Sequence, residues 1–184
     1  MKTMRRLPLV LTALLFFTAA LPALADNNLS YDDPSVHYTA PDGWTRLDVP
    51  AANPENSSEE TPVAVFQKAF GRIDNRIITL RIGRYEGSLD GLESTHENDL
   101  RSGGQSVFVE KKTKVTMPNG MPAWQIKYSS GEDVGQSVRA FDVVVYDGRR
   151  SIILTYAGRT ASFSDDDALK ALSSLTVVLY PEGR

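Results

Sequence analysis

Cysteine is absent from all 184 residues. This excludes disulfides, thiolate metal sites, a cysteine nucleophile and a lipid-bearing cysteine at an export cleavage point. Histidine is scarce: His37 and His96 are the two present, and neither has a second histidine at metal-binding spacing. His96-Glu97 lacks the second half of a zinc-protease helix motif, and no Gly-x-Ser-x-Gly elbow occurs. Gly103-Gly104 follows a helical stretch rather than opening one, so it makes no phosphate loop. An excess of positive charge is also missing. Lys and Arg total 20 against 23 Asp and Glu, for a net charge of −3, which lacks the basic footprint of a nucleic-acid binder. The run Asp165-Asp166-Asp167 lacks the alternating acids, central glycine and closing glutamate of a calcium loop. It reads instead as a helix start capped by Ser164, with three carboxylates at the positive end of the dipole. From these absences neither a catalytic set nor a cofactor is expected.

The N-terminal residues are more informative. Lys2, Arg5 and Arg6 precede an apolar run over 7–24, and Ala23-Leu24-Ala25 precedes Asp26. A charged start, apolar middle and small residues at the end make residues 1–25 an expected signal peptide, cleaved after Ala25. Pro8 and Pro22 interrupt the run, leaving it short of the ~20 residues a membrane span needs. The processed chain is therefore expected to be periplasmic or secreted, without a membrane span or lipid tether. Losing three positive residues moves the net charge from −3 to −6. What remains is one domain by length, able to bury roughly two-thirds of its unfolded surface.

Periodicity then divides the chain into a leader over 26–35, one domain over 36–180 and a tail over 181–184. Strands are expected over 36–40 and 44–49, joined by the turn Pro41-Asp42-Gly43, with a surface loop over 50–62. Strands follow over 63–70 and 76–85. In the second of these, Ile78, Leu80 and Ile82 alternate with Thr79 and Arg81, the two-residue period of a half-buried antiparallel strand. Ser88 opens a helix whose stripe is Leu89, Leu92, His96 and Leu100. Two hairpins come next, 106–116 with 121–129 and 138–146 with 150–158, across Asn119-Gly120 and Asp147-Gly148. Leu169, Leu172 and Leu175 make the stripe of a final helix, and 176–179 a short last strand. Hairpins dominate, so the fold class is α+β: a single, mainly antiparallel sheet with helices packed on its faces.

Three groups of residues are candidates for function. His96, on an apolar stripe, is expected to be packed and bonded to a neighbour; convergence with an acid and a hydroxyl would instead make it part of a cryptic hydrolase. Trp44, Trp124 and Tyr128 fill the core or line a pocket for a small apolar ligand or lipid. Trp124 shares a strand face with Ile126 and Tyr128, so it is expected to be inaccessible. Lys68, Arg72, Arg76, Arg81 and Arg84 stand against one acid, Asp74, in an otherwise acidic chain. They either protect a sheet edge or dock on an acidic partner or anionic headgroup.

Several stretches resemble the PsbP-like superfamily in order along the chain. Ala40-Pro41-Asp42-Gly43-Trp44 resembles its opening Pro-x-Gly-Trp strand, and Gly120-Met121-Pro122-Ala123 its turn into a central strand. The hairpin over 143–158, ending Tyr156-Ala157-Gly158, resembles its last hairpin. Phe163, the helix over 169–175 and Thr176-Val177 resemble its closing segment. That superfamily includes the photosystem II extrinsic P subunit, the Mog-type Ran-binding protein and bacterial envelope proteins of the DcrB type. The resemblance implies a helix–sheet–helix sandwich used for binding, with no shared catalytic residues. The function so expected is an exported, non-enzymatic binding or adaptor domain whose partner is another envelope protein. A carrier of a lipid or small apolar ligand and a cryptic hydrolase are the alternatives.

Overall fold

A computed structural model describes residues 29–50, 60–70, 74–102, 106–131 and 137–181. The expected signal peptide, Arg72, Gly103-Gly104, most of the 50–62 and 130–137 loops and most of the 181–184 tail lie outside the described residues. Ten strands are described: β1 (Ser30–Asp32), β2 (Val36–Thr39), β3 (Thr45–Leu47), β4 (Thr61–Phe70), β5 (Asp74–Arg84), β6 (Val107–Thr116), β7 (Pro122–Ser130), β8 (Val138–Tyr146), β9 (Arg150–Arg159) and β10 (Thr176–Val177). Helix α1 (Leu89–Ser102) lies between β5 and β6, and α2 (Asp165–Leu172) between β9 and β10.

Seven strands form one antiparallel sheet in the order β3-β4-β5-β9-β8-β7-β6. Its hairpin turns use the residues that tolerate positive φ, Gly120 and Gly148 at φ 88° and 96°, and Gly43, at φ 80°, does the same where β2 leads into β3. The single-sheet expectation is corrected, because β1, β2 and β10 form a second, three-stranded sheet. The leader expectation for 26–35 is also corrected over its described part. Ser30–Asp32 pairs with β2, Ser35 is fully buried, and Asp33 holds the guanidinium of Arg150 in two bonds of 3.0 and 2.6 Å. The reason is charge: Arg150 is 1% exposed, and a buried guanidinium requires carboxylate partners.

Strand alternation divides the interior. Ile152, Leu154 and Tyr156 of β9 join a large apolar cluster with Phe66, Ile78, Leu80 and the α2 residues Ala168, Ala171 and Leu172. Ile153 and Ala157, of opposite parity, join a smaller cluster with Ile126, Tyr128, Val144 and the α1 residues Leu92 and Leu100. We call these the α2 face and the α1 face. Ser164 caps α2, its side chain accepting the Asp167 N–H at 3.2 Å. Leu169, expected on the buried stripe, is 42% exposed, because Ala168 and Ala171 take the sheet-facing positions.

Candidate functional site

The chemistry-bearing side chains converge on the α1 face. One row of that face runs straight across five strands: Thr79, Thr155, Asp142, Ile126 and Lys112. Asp142 sits at its centre, beneath α1. His96 comes down from the helix, and its Nε2 lies 2.7 Å from Asp142 Oδ2. The two are 3% and 0% exposed. Tyr128, in the neighbouring row, sets its phenol beside the same carboxylate; burial first, then the charge of Asp142, pushes its pKa well above 10. Arg81 reaches Thr155 Oγ1 at 3.3 Å from its Nη2 and faces Glu60 at 3.9 Å.

The rim of α1 is tied by a second set of charges. Lys112 donates to Glu93 at 2.6 Å and to Glu97 at 2.7 Å. Lys114 and the Trp124 indole N–H both donate to Asp90, at 2.7 and 2.9 Å. Bonds from Lys112, then from Arg101, hold the Glu97 carboxyl below its usual range, and bonds from Lys114, then from Trp124, do so for Asp90.

This arrangement brings together a histidine, an acid and a hydroxyl, the set named for a hydrolase. Its burial makes it a different object. Asp142 is the one hydrogen-bond partner of His96 among the described residues. A phenol pushed above its ordinary pKa is no nucleophile near neutrality. His96 is thus the packed and bonded histidine expected from its stripe, a hydrogen-bonded pin between the helix and the sheet.

Asp142 was missed in the sequence. The signal was present: one carboxylate inside Phe141-Asp142-Val143-Val144-Val145, where both strand faces are buried. A carboxylate in such a run needs a buried partner.

The aromatic pocket is corrected. Trp44 lies on the α2 face, edge-on to Tyr156 at 6.0 Å between ring centroids, whereas Trp124 and Tyr128 belong to the α1 face. The sheet stands between them, so the three line no common pocket. Trp124 is half-buried, not inaccessible, because it flanks the α1 cluster with its N–H turned out to Asp90.

The basic patch is corrected as well. Strand β5 lies inside the sheet between β4 and β9, so it has no edge to protect. Arg76 and Arg81 are 3% and 7% exposed and lie on opposite faces. Arg76 turns to the α2 face. It donates to Tyr156 at 2.9 Å, to Asp74 at 3.2 Å and to the Ser162 carbonyl, and it lies over the Phe70 ring at 4.8 Å. It passes directly over Gly158, where any Cβ would collide with its Cδ. Arg84 is exposed and pairs with Glu86 at 2.7 Å. Lys68 reaches the Asp42 carbonyl at 3.4 Å.

A second buried ion cluster joins the two sheets. Arg150 binds Asp33, Asp147 and Ser35, and the Tyr180 ring lies 4.5 Å from its guanidinium. It fastens both ends of the domain to the β8–β9 turn.

No family model matches the chain, and no curated protein matches it in sequence. Solved structures do match its fold. Cyanobacterial PsbP (CyanoP) from Synechocystis sp. PCC 6803 superposes with a TM-score of 0.51 at 17% identity, over 87% of this chain and 98% of that one. LpqN, a protein of Mycobacterium tuberculosis involved in cell envelope biogenesis, superposes with a TM-score of 0.50 at 16% identity, over 78% and 86%. With the antiparallel sheet, the two helices and the motif order already described, these superpositions give the chain the PsbP-like fold.

Proposed function

We propose that the chain is an exported, non-enzymatic binding or adaptor domain of the bacterial cell envelope, working with another envelope protein. The observation that carries this reading is the sealing of the His96–Asp142 pair, at 3% and 0% exposure; the other histidine, His37, pairs with Asp32 at 2.9 Å on the open surface of the small sheet. Catalysis needs a reacting atom within hydrogen-bond reach of the acid or base. Here His96 and Asp142 are both spent on holding a helix to a sheet. The fold shared with an envelope-biogenesis protein is consistent with the compartment, as is the absence, among the described residues, of a helix long and apolar enough to cross a membrane. The scaffold in this reading is a helix–sheet–helix sandwich, supported by α1 and α2 drawing on different buried clusters. The separation of Trp44 from Trp124 and Tyr128 weakens the ligand-carrier alternative.

The test is crosslinking in the native envelope, followed by native mass spectrometry of the purified protein. The expected result is a chain beginning at Asp26, joined to a protein partner and free of stoichiometric lipid. A lipid bound to every copy, with no protein adduct, overturns the adaptor reading in favour of a carrier.

A further inference from the structure

We propose that the uncovered part of the α2 face, on β6 and β7, docks an extended acidic segment of a protein partner. This deepens the reading of the chain as a binding domain and rests on it. The α2 face changes character along its rows. One row runs Ile78, Tyr156, Phe141, Lys127, Lys111, and the next runs Leu80, Leu154, Val143, Gln125, Thr113. Helix α2 covers β9 and β8, where the rows are apolar and buried. On β7 and β6, beyond the apolar end at Ala123 and Val115, the same face is polar and open: Gln125, Lys127, Ser129 and Thr113 are half-buried, and Lys111 and Phe108 are exposed.

Two features of this shelf are unfavourable for the isolated domain. Lys111 stands directly opposite Lys127 in register, and like charges so placed repel. Lys127 is neutralised by Asp165 at 2.8 Å and Glu110 at 3.5 Å. Glu110 is also engaged by Arg139 at 2.8 Å, while Lys111 has no counter-ion among the described residues. Phe108, on the same face, is 69% exposed. A carboxylate over the lysine pair, carried beside an apolar side chain over Phe108, relieves both. Strand β6 is also the sheet's last strand, so an extended segment beside it meets free backbone groups. Charge selects protein over lipid. The processed chain carries a net −6, the −3 of the whole sequence less the three positive residues of 1–25, and is repelled as a body by an anionic bilayer, whereas a single acidic strand senses the local field within one Debye length, about 8–10 Å at ordinary salt. Lys112 and Lys114 do not contribute, being turned to the α1 face and bound there.

The test uses fluorescence anisotropy on the processed full-length protein with three probes: a labelled peptide alternating glutamate and valine, its lysine-for-glutamate counterpart, and phosphatidylglycerol vesicles. The acidic peptide is expected to bind, more weakly as salt rises, and the other two are not. Lys111→Glu is expected to weaken binding about tenfold, and Phe108→Ser to do so comparably. Both residues are exposed, so melting temperatures stay close to wild type. Asn98→Lys, on the outer side of α1, leaves binding unchanged. Equal binding of the lysine peptide, indifference to Lys111→Glu, or binding to vesicles alone overturns the proposal. Envelope crosslinks that survive Lys111→Glu and Phe108→Ser, with no peptide binding, reject the shelf while leaving the adaptor reading in place.

Discussion

The two faces of the main sheet are held in different ways. The α2 face is an apolar core: Phe66, Ile78, Leu80, Leu154 and Tyr156 are all 0–1% exposed, and a helix of eight residues closes it with Ala168, Ala171 and Leu172. The α1 face carries a helix of 14 residues, nearly twice as long, yet its buried positions are Leu92, Glu93, His96 and Leu100. Half of them are ionisable. Apolar burial contributes by area and tolerates imprecise partners. An ion pair taken out of water holds only when its partner is in place. The short helix is thus fixed by shape, and the long one by a few specific bonds.

The largest expected effect comes from breaking the pin of the α1 face. His96→Leu leaves Asp142 buried without its partner and is expected to cost about 3–5 kcal/mol in urea unfolding. Replacing both, His96→Leu with Asp142→Leu, is expected to recover most of that loss, because replacing both partners of a buried hydrogen bond by apolar groups of similar shape can be nearly neutral. On the α2 face, Leu80→Ala is expected to cost about 2–5 kcal/mol, with no second-site replacement of this kind to restore it. A double variant as unstable as His96→Leu alone would mean that the pair stabilises in its own right.

The Asp33–Arg150 tie sharpens the comparison through pH. Burial alone would raise the Asp33 pKa, but the bonds from Arg150 and Ser35 outweigh it and hold the carboxyl below its usual range. A carboxyl depressed in the folded state stabilises above its unfolded pKa, about 3.9. That contribution disappears as pH falls through the folded value. Asp33→Asn is therefore expected to cost about 1.5–3 kcal/mol at neutral pH. It is also expected to flatten the fall in melting temperature below about pH 4. A variant whose acid limb matches wild type would locate acid sensitivity in the α1 rim instead.

How much was legible follows the same division. Strand β5, both late hairpins, α1 and the cap of α2 were readable, because apolar alternation, Asn-Gly and Asp-Gly turns and a serine cap are local signals. The PsbP-like order of motifs was readable as well. Contacts made at long range were not. His96 meets Asp142 46 residues away, and Arg150 meets Asp33 117 residues away. Neither partner shows in a window of periodicity. The basic run misled for a related reason: arginine spacing on one strand does not reveal which residues lie under a helix or across from a glycine.

Trp124 tests the margin of the α1 face. Its ring flanks the cluster, and its N–H bonds Asp90 at 2.9 Å. Trp124→Ala is expected to cost about 1–2 kcal/mol, short of the ~3–5 for a fully buried indole. Indole fluorescence should respond to collisional quenchers more strongly than that of the buried Trp44, compared through single-tryptophan variants. Equal quenching would place both rings in the core.

The smallest effect is expected at Arg84, and it completes the correction of the basic run. Arg76, Arg81 and Arg84 look alike in sequence, but their surroundings differ. Arg76 meets Asp74, Tyr156 and a carbonyl while nearly excluded from water. Burial opposes its charge, but the bonds it donates to Asp74 and Tyr156 outweigh that and raise its pKa. Removing it takes the charged partner from Asp74, leaving the Ser162 hydroxyl, and opens a space over Gly158. Arg84 is open to solvent, and its partner Glu86 is 79% exposed, so the pair is screened and its side chains retain much of their freedom. Arg84→Ser is expected to change stability by no more than about 0.5 kcal/mol. Arg76→Ser should cost several times more in the same urea titration. If the two variants unfold together, burial has not separated these arginines, and a shared surface role for the run returns.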